Sequence, residues 1–448
     1  MKSSAKALML SLTTMIFVYA VPLVARAAQP SNVDSGDTTF VLMSAALVLL
    51  MTPGLGLFYG GMVRKKNVLN IMVQCFVTVG LVSVQWIICG YSLAFGPDIG
   101  HIIGSLEWAG FAGVGSLPNS IYAGTIPHGT FAIFQLMFAV ITAALITGSF
   151  AERLRFSVFV IFILLWSTLV YDPVAHWVWG AGGWLKNLGV LDFAGGNVVE
   201  ICSGFSGLAV AIAVGRRTGY GREPILPHNL PLTMVGAGLL WFGWFGFNAG
   251  SALAANGIAS NAFITTNTAA AAGTLSWLIA EYMDHGKPTM LGAVSGAVAS
   301  LVAITPACGF VSPMSALFIG LVAGPVCYLA VGKFKQLMGY DDALDVFGIH
   351  GVGGMIGTLA TGILASIAIN PSGADGLLFG NAHTFLIQLL AVGATCLYAG
   401  TMSFIIMKAI GLFVPLRAED EDEEAGLDVS HHGEEAYRYE ASMVGPAS

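Results

Sequence analysis

Two ionisable side chains stand inside long apolar, glycine-rich stretches of the sequence. Glu200 follows the segment DFAGGNVV, and His350 lies within DVFGIHG. Ionisable groups inside a membrane-spanning helix are costly and usually face a pore or a cavity. The structural alternatives are that His350 is a hydrogen-bonded core imidazole and that Glu200 pairs with a hydroxyl group. We favour a functional pair, because each half of the chain supplies one of the two residues.

Aromatic and small residues near position 250 offer a second kind of chemistry. In the segment GWFGFNAGS, Trp244 and Asn248 are four residues apart, and so are Phe247 and Ser251. Residues at this spacing share one face of a helix. A ring attracts a cation and a hydroxyl oxygen accepts its hydrogen bond, so this face suits a small cation. On this segment alone, an aromatic belt at the membrane surface is the commoner explanation.

A serine motif leaves one enzyme alternative open. Gly204-Phe205-Ser206-Gly207 matches the GxSG motif of intramembrane serine proteases, with His350 as a candidate base. So short a string arises easily in helices rich in glycine and serine. The sequence has no zinc-binding HExxH helix, no ATP-binding Walker A loop, no dinucleotide fingerprint and no metal-ligand spacing of cysteines. We predict no enzyme activity, no cofactor and no metal site, and the missing ATP site argues against a primary pump.

The composition indicates that these groups are carried by helices embedded in lipid. The 448 residues are 56% hydrophobic and 10% charged, with a mean hydropathy of +0.79. Soluble domains carry about 25% charged residues. The few basic residues are dispersed, so no nucleic-acid partner is expected. Segments long enough to cross the bilayer are predicted at 39–62, 67–95, 124–151, 156–172, 195–214, 227–253, 262–281, 288–305, 313–332, 346–369 and 384–410.

The distribution of basic residues predicts the orientation of these segments. With the mature N-terminus outside, fourteen lysine and arginine residues fall in inner loops or the inner C-terminus, and only Lys186 falls in an outer loop. Basic residues accumulate on the cytoplasmic side of membrane proteins. The predicted fold is therefore an all-α polytopic membrane protein of eleven helices, with the N-terminus out and the C-terminus in.

The eleven segments divide into two units of five plus one further helix. Two five-helix units in series enter the membrane from opposite faces, an inverted repeat that places a site between the halves at the midplane. A weak internal similarity supports this division. Asp192 opens the helix that carries Glu200, and Asp345 is predicted to open the helix that carries His350.

The two ends of the chain differ from the membrane domain at 39–410. Residues 1–27 have a basic start, an apolar stretch and a small-x-small cleavage site, as in a cleaved signal peptide; an uncleaved helix is the alternative. Residues 28–38 are then an extracytoplasmic N-terminus. Residues 411–448 form a cytoplasmic tail that contains the acidic run 419–424, and composition alone favours disorder there.

Six stretches, taken together and in order, resemble the Amt/Mep/Rh ammonium transporters and are closest to the bacterial Amt branch. They are FAERLRF (150–156), DFAGG (192–196), PHNLP (227–231), GWFGFNAGS (243–251), GA through TPACG (292–309) and DVFGIHG (345–351). The resemblance extends over roughly residues 38 to 440. It implies a homotrimer in the cell (inner) membrane with one pore in each subunit and an outer recruitment site for ammonium or methylammonium.

The resemblance also implies roles for individual residues. Ser251 matches the hydrogen-bonding serine of the recruitment site, and Trp179 matches the tryptophan that contacts the cation. Phe138 belongs to this site and, with Phe247, forms the phenyl gate. Asp192 matches an aspartate that orders the backbone near the recruitment site.

One position departs from the common pattern of the family. His350 matches the second of two pore histidines, but Glu200 occupies the position of the first. Some members, including fungal permeases, are similar in carrying Glu there. A carboxyl and an imidazole in a dry lumen should titrate as a coupled pair. We hypothesise that Glu200 accepts the proton lost by ammonium or stabilises a cation in the pore.

The C-terminal tail resembles the segment of bacterial Amt proteins that packs across subunits and helps PII signalling proteins to block the pore. The matching residues are Gly426-Leu427-Asp428, His432-Gly433-Glu434 and Ala436-Tyr437. The tail is therefore expected to be an ordered regulatory segment. The predicted function is net inward, electrogenic ammonium transport with ammonia as the conducted species. A passive gas channel and an ammonium sensor remain alternatives, and the intramembrane protease is a remote one.

Overall fold

A computed structural model describes residues 32–437 of the chain. The predicted signal peptide and residues 438–448 lie outside this range. Within it, the chain forms eleven helices of 15 residues or more. They are α1 (Ser35–Met62), α2 (Lys65–Phe95), α3 (His128–Phe150), α4 (Phe156–Val178), α5 (Gly196–Val214), α6 (Leu230–Gly250), α7 (Gly257–His285), α8 (Met290–Ile304), α9 (Pro313–Met338), α10 (Phe347–Leu364) and α11 (Ala382–Gly411).

Each predicted segment corresponds to one of these helices. Nine of them, in the described range, are long and apolar enough to cross a membrane. The other two differ in one property each, because α7 is less apolar and α8 has only 15 residues. The helix α4 continues beyond the predicted end at residue 172 to Val178, and α1 begins at Ser35, four residues before the predicted start.

Polar residues and proline set the helix starts. The side chains of Asp34, Asn229, Thr289 and Ser312 accept backbone N–H groups at the starts of α1, α6, α8 and α9. Pro231 and Pro313 occupy the first turn of α6 and α9, where the missing N–H of proline has no helical partner to lose. These local signals explain why the helices begin close to the predicted positions.

The connection between α2 and α3 contains the strands of the described range. The strands β1 (Asp98–Ile99) and β2 (Ile103–Gly104) pair antiparallel, and so do β3 (Pro118–Asn119) and β4 (Ala123–Pro127). The sequence analysis did not predict them. Three of them have two residues each, too few to show an alternation of polar and apolar residues. The fourth, β4, contains residues 124–127, which the sequence analysis had assigned to the start of the segment 124–151; the helix itself begins at His128.

Glycines allow the helices that carry Glu200 and His350 to cross in direct contact. A Cβ atom at Gly204 of α5 would lie 2.2 Å from the backbone nitrogen of Gly351 in α10. At Gly354 it would lie 2.8 Å from the Cβ of Glu200. Real Cβ atoms do not approach so closely, and small residues are what allow helix backbones to meet in a membrane. Close packing is therefore the reason for these glycines.

The sequence analysis predicted that Asp192 and Asp345 open the corresponding helices of the two halves. This prediction is wrong for Asp345. Asp192 accepts backbone N–H groups of Gly195, Gly196 and Asn197 at the start of α5. At the start of α10 this role falls to Asp342, whose Oδ2 accepts the N–H of Phe347 at 2.7 Å. Asp345 instead pairs with Lys335 at 2.6 Å.

With Asp342 in the place of Asp345, the two halves of the chain match each other more closely than the sequence analysis predicted. Asp192 precedes Glu200 by eight residues, and Asp342 precedes His350 by eight residues. Glu200 and His350 also lie in π-helical turns, Gly196–Ile201 and Phe347–Gly351. Such turns are rare and often mark functional positions.

The segment after α11 folds back on one end of the helices. This end carries the arginine-rich loops, which are the α1–α2, α3–α4 and α5–α6 connections with Arg64, Arg153, Arg155, Arg216 and Arg217. It forms two short helices, α12 (Asp420–Ala425) and α13 (Leu427–His432). Disorder, which composition alone favoured, is therefore not found for residues 419–437. The order agrees with the expectation from the family resemblance.

Candidate functional site

Glu200 and His350 form a hydrogen-bonded pair where α5 and α10 cross. Oε2 of Glu200 lies 2.7 Å from Nδ1 of His350. The side chains are 1% and 5% exposed, respectively. Among the described residues, Oε1 of Glu200 has no hydrogen-bond partner. The hydroxyl group considered as a partner for Glu200 is therefore not its main contact. One carboxylate oxygen remains available to hydrogen-bond a small polar ligand.

The pair borders a narrow cavity with apolar walls. The cavity is about 10 Å³ in volume and is lined by Glu200 and His350 together with Phe58, Trp244 and Val298, among others. This volume is close to what a single water needs. A small molecule fits here only after it has lost its hydration shell.

Further cavities continue from this point toward the arginine-rich end. A second cavity of about 30 Å³ is lined by His350, Tyr59 and Asp345. A third and wider one, about 330 Å³, shares Met62 and Asp345 with the second and contains Glu281. The narrow passage past His350 thus widens into a polar vestibule.

Two phenyl rings close the opposite end of the first cavity. The ring centroids of Phe138 in α3 and Phe247 in α6 are 4.3 Å apart, and both side chains are 1% exposed. Phe247 also lines the first cavity. The structure therefore brings together the two residues predicted as a gate, in contact and directly beside the Glu200–His350 pair.

The residues predicted for the recruitment site lie on the far side of these rings. The indole of Trp179 stands edge-on to Phe138, with ring centroids 5.8 Å apart. Its Nε1 donates a hydrogen bond to the backbone oxygen of Asp192 at 2.9 Å. Ser251 follows α6, and its hydroxyl group donates a hydrogen bond to the carbonyl oxygen of Phe247 at 2.8 Å. The hydroxyl oxygen can therefore still accept a hydrogen bond from a bound ligand.

The aromatic-belt alternative is wrong for the two residues that defined it. Trp244 is 2% exposed and Phe247 is 1% exposed, whereas belt residues face the lipid interface. Nε1 of Trp244 donates to the hydroxyl of Thr305 at 2.8 Å. Asn248 is bonded to the hydroxyl of Thr266. This face of α6 points into the protein.

The serine of the GxSG motif is not arranged for catalysis. Oγ of Ser206 accepts a hydrogen bond from Nε1 of Trp166 at 2.9 Å. Nδ1 of His350, the proposed base, is bonded to Glu200. The geometry gives the protease alternative no support.

Comparison with known proteins agrees with this geometry. The family model described as the Ammonium Transporter Family matches residues 39–437. The chain belongs to the ammonium transporter family. It is 54% identical to the ammonium transporter of Bacillus subtilis over 403 residues, which is 90% of this chain and 98% of that protein. It is 48% identical to Amt1 of Archaeoglobus fulgidus over 404 residues, which is 90% of this chain and all of that one.

Solved structures of the ammonium transporter family share the fold. Saccharomyces cerevisiae Mep2 is 38% identical, with a TM-score of 0.83 over 92% of this chain and 93% of that one. A protein described as a sensor Amt protein is 30% identical, with a TM-score of 0.82 over 89% and 98% of the two chains. These matches confirm the family and the all-α membrane fold. The count of eleven spans and the orientation of the termini stay predictions.

Two residues near the site were missed by the sequence analysis. The sequence analysis assigned the start of α10 to Asp345 and not to Asp342, because Asp345 is closer to the glycine-rich segment. Lys186 was counted only for orientation, but its ammonium bonds the backbone oxygen of Trp179 at 2.8 Å and lies over the ring of Tyr122. The equal eight-residue spacing to Glu200 and His350 could have found Asp342. No sequence signal links Lys186 to Trp179.

Proposed function

We propose that this chain is an ammonium transporter of the cell membrane that moves ammonium inward with net charge. The single observation that carries the proposal is the buried Glu200–His350 pair, which lies in a water-sized cavity behind two phenyl rings in contact. A bare cation pays a large desolvation cost in such a space. Ammonium must therefore lose a proton to pass, or be compensated by an ionised side chain.

The proposed mechanism uses the site residues in order from the outside. Trp179 attracts ammonium through its ring and Ser251 accepts a hydrogen bond from it, while Asp192 fixes the backbone that positions Trp179. Phe138 contributes to recruitment and, with Phe247, keeps water out of the passage. Glu200, through its unpaired oxygen, accepts the proton, shares it with His350 and releases it toward the wide vestibule, and ammonia passes beside the pair.

The assembly and the partners belong to the same proposal. We expect a homotrimer with one passage in each subunit, with the N-terminus outside and the C-terminus in the cytoplasm. We also expect the cytoplasmic tail to be a regulatory segment, with a PII-type signalling protein as its partner. The ordered tail against the arginine-rich loops supports this expectation, since a docked segment offers a defined surface. Methylammonium is the expected second substrate, because it retains the cationic N–H donors.

Ammonium-evoked current in proteoliposomes tests the proposal. We expect an inward current that saturates with ammonium and reverses with its gradient. Ammonia permeation without current would contradict net charge movement and would favour a gas channel. Ammonium binding with neither current nor permeation would favour an ammonium sensor. One solved relative is described as a sensor Amt protein. Empty liposomes and liposomes with an unrelated membrane protein are the controls for leak.

A further inference from the structure

An open apolar groove runs between α5 and α11 on the outer surface of the helices. It has a volume of about 650 Å³ and is lined by Phe205, Leu208 and Ile212 of α5 and by Leu397 and Phe404 of α11, among others. Ile212 is 57% exposed and Leu397 is 73% exposed. Both helices belong to the predicted membrane spans. The groove therefore opens toward the hydrocarbon and not toward the passage that contains Glu200.

Two glycines of α11 create the space in the groove. A Cβ atom at Gly393 would meet no atom within 4 Å, and one at Gly400 would meet its nearest neighbour, the backbone oxygen of Phe205, at 3.8 Å. Most glycines inside these helices are needed for close packing, as at Gly204. Gly393 and Gly400 leave room that no protein atom fills.

Both walls of the groove end in a basic residue. On α11, Lys408 comes four residues after Phe404 and lies over its ring, with the nitrogen 5.1 Å from the centroid. On the α5 side, Arg216 comes four residues after Ile212. A second cavity of about 420 Å³ continues the groove, since it shares Leu208 and Ile212 with the first and is also lined by Arg216.

The acidic residue that lines the second cavity is already paired with another arginine. Asp341 lines the second cavity, but its carboxylate pairs with Arg217 through Nε and NH2 at 3.0 and 2.8 Å. Among the described residues, the Arg216 side chain donates to the backbone oxygen of Gly339 and lies over the ring of Tyr220. Its guanidinium and the Lys408 ammonium are both exposed.

We propose that this groove is a binding site for an anionic phospholipid. One acyl chain lies along the two glycines of α11, and the phosphate meets Arg216 and Lys408 at the end that carries the arginine-rich loops. Basic residues at the end of an apolar crevice between membrane helices are suited to anionic head groups. The tail is linked to the same place, because Arg417 donates to the backbone oxygen of Arg216 at 2.5 Å.

Lipid titration of the delipidated, detergent-purified protein tests the proposal. Phosphatidylglycerol and phosphatidylcholine with identical acyl chains are compared, and bound lipid is counted by native mass spectrometry. We expect tighter binding of phosphatidylglycerol, weakened about fivefold by Arg216→Gln or Lys408→Gln, in line with the contribution of one basic residue near an anionic lipid. Lys287→Gln, an exposed lysine in another loop on the same predicted face, is the matched control and should change nothing.

A variant that fills the groove distinguishes lipid binding at this site from a general attraction of anionic lipids to basic residues. Gly400→Leu places a side chain in the groove, where the nearest protein atom is 3.8 Å from the new Cβ. It should reduce the number of tightly bound lipids while the protein keeps its thermal stability. Equal binding of the two lipids, or binding unchanged in the Arg216, Lys408 and Gly400 variants, overturns the proposal. A changed subunit number in Gly400→Leu also overturns it, because the groove would then contact another subunit.

Discussion

At the scale of single residues, the defining contact is the short hydrogen bond between Glu200 and His350. The sequence identified both residues, since ionisable groups are rare in its apolar segments. It could not place them in contact, because they are 150 positions apart and only the crossing of α5 and α10 brings them together. Phe138 carried no signal of its own in an apolar helix, and it entered through the family resemblance alone.

The recruitment site yields a prediction for Trp179. Trp179→Leu removes the ring that attracts the cation and keeps an apolar side chain. A cation–π contact contributes about 0.5–2 kcal/mol, so the ammonium concentration for half-maximal current should rise about 2- to 30-fold. The measurement is a concentration series of ammonium-evoked current.

The control for Trp179 is Trp184→Leu. Trp184 is a partly buried tryptophan whose ring packs against Trp177, with ring centroids 5.7 Å apart, and not against Phe138. An unchanged half-maximal concentration in Trp179→Leu, or an equal rise in both variants, would contradict a recruiting role.

At the scale of elements, hydrophobic runs were sufficient to predict the helices, and capping residues explain where several of them begin. They were not sufficient to align the two halves, because the choice between Asp342 and Asp345 depends on which carboxylate reaches the N–H groups at the start of α10. Asp345 has a positive φ of 62° and pairs with Lys335 instead. Three of the four strands before α3 were missed for a similar reason, since two-residue strands follow from loop geometry and not from periodicity.

The FAERLRF segment between α3 and α4 forms a buried ion-pair cluster. Oε2 of Glu152 lies 2.7 Å from NH2 of Arg64 and 3.5 Å from NH1 of Arg217. Burial raises the pKa of Glu152, but Arg217 and Arg64 outweigh it and hold the pKa below its ordinary value. Glu152 therefore stabilises the fold above the ordinary carboxyl pKa of about 4.3, and this contribution is lost as pH falls through the lowered value.

Glu152→Gln should reveal this contribution as a loss of thermal stability. We expect a loss of about 1–3 kcal/mol near neutral pH, since a buried charged partner is left incompletely paired. The difference from wild type should shrink as pH falls below about 4. Melting curves in detergent across pH measure it, with the exposed Glu107→Gln as control. A difference that grows with acidification would contradict the sign argued here.

At the scale of the whole molecule, the tail connects the start of α2 to the loop after α5, where Arg417 donates to the backbone oxygen of Arg216. Asp428 accepts the N–H groups of Leu69 and Asn70 at 3.0 and 2.7 Å and so caps the first turn of α2. Nζ of Lys66 donates to the backbone oxygens of Glu423 and Glu424. Composition alone favoured disorder for this segment, because an acidic run gives no sign of the helix end to which the following residues bind.

Asp428→Ala should loosen the tail without unfolding the helices. Loss of a capping carboxylate costs about 0.5–2 kcal/mol, so hydrogen exchange of backbone amides in residues 420–432 should accelerate about 2- to 30-fold. Hydrogen–deuterium exchange with mass spectrometry measures this. The exposed Glu435→Gln is the matched control. Unchanged exchange in the tail of Asp428→Ala would show that the cap does not hold it.

The most direct test of the account is the pH dependence of ammonium current in Glu200 variants, from about pH 5 to pH 8. Gln has nearly the shape of Glu but cannot take up a proton in this range, so Glu200→Gln should lower the current about 100-fold, as expected when a proton-transfer group is removed. Glu200→His should restore current with a shifted pH optimum. If Glu200→Gln keeps both the wild-type current and its pH profile, Glu200 does not carry the proton and the central claim fails.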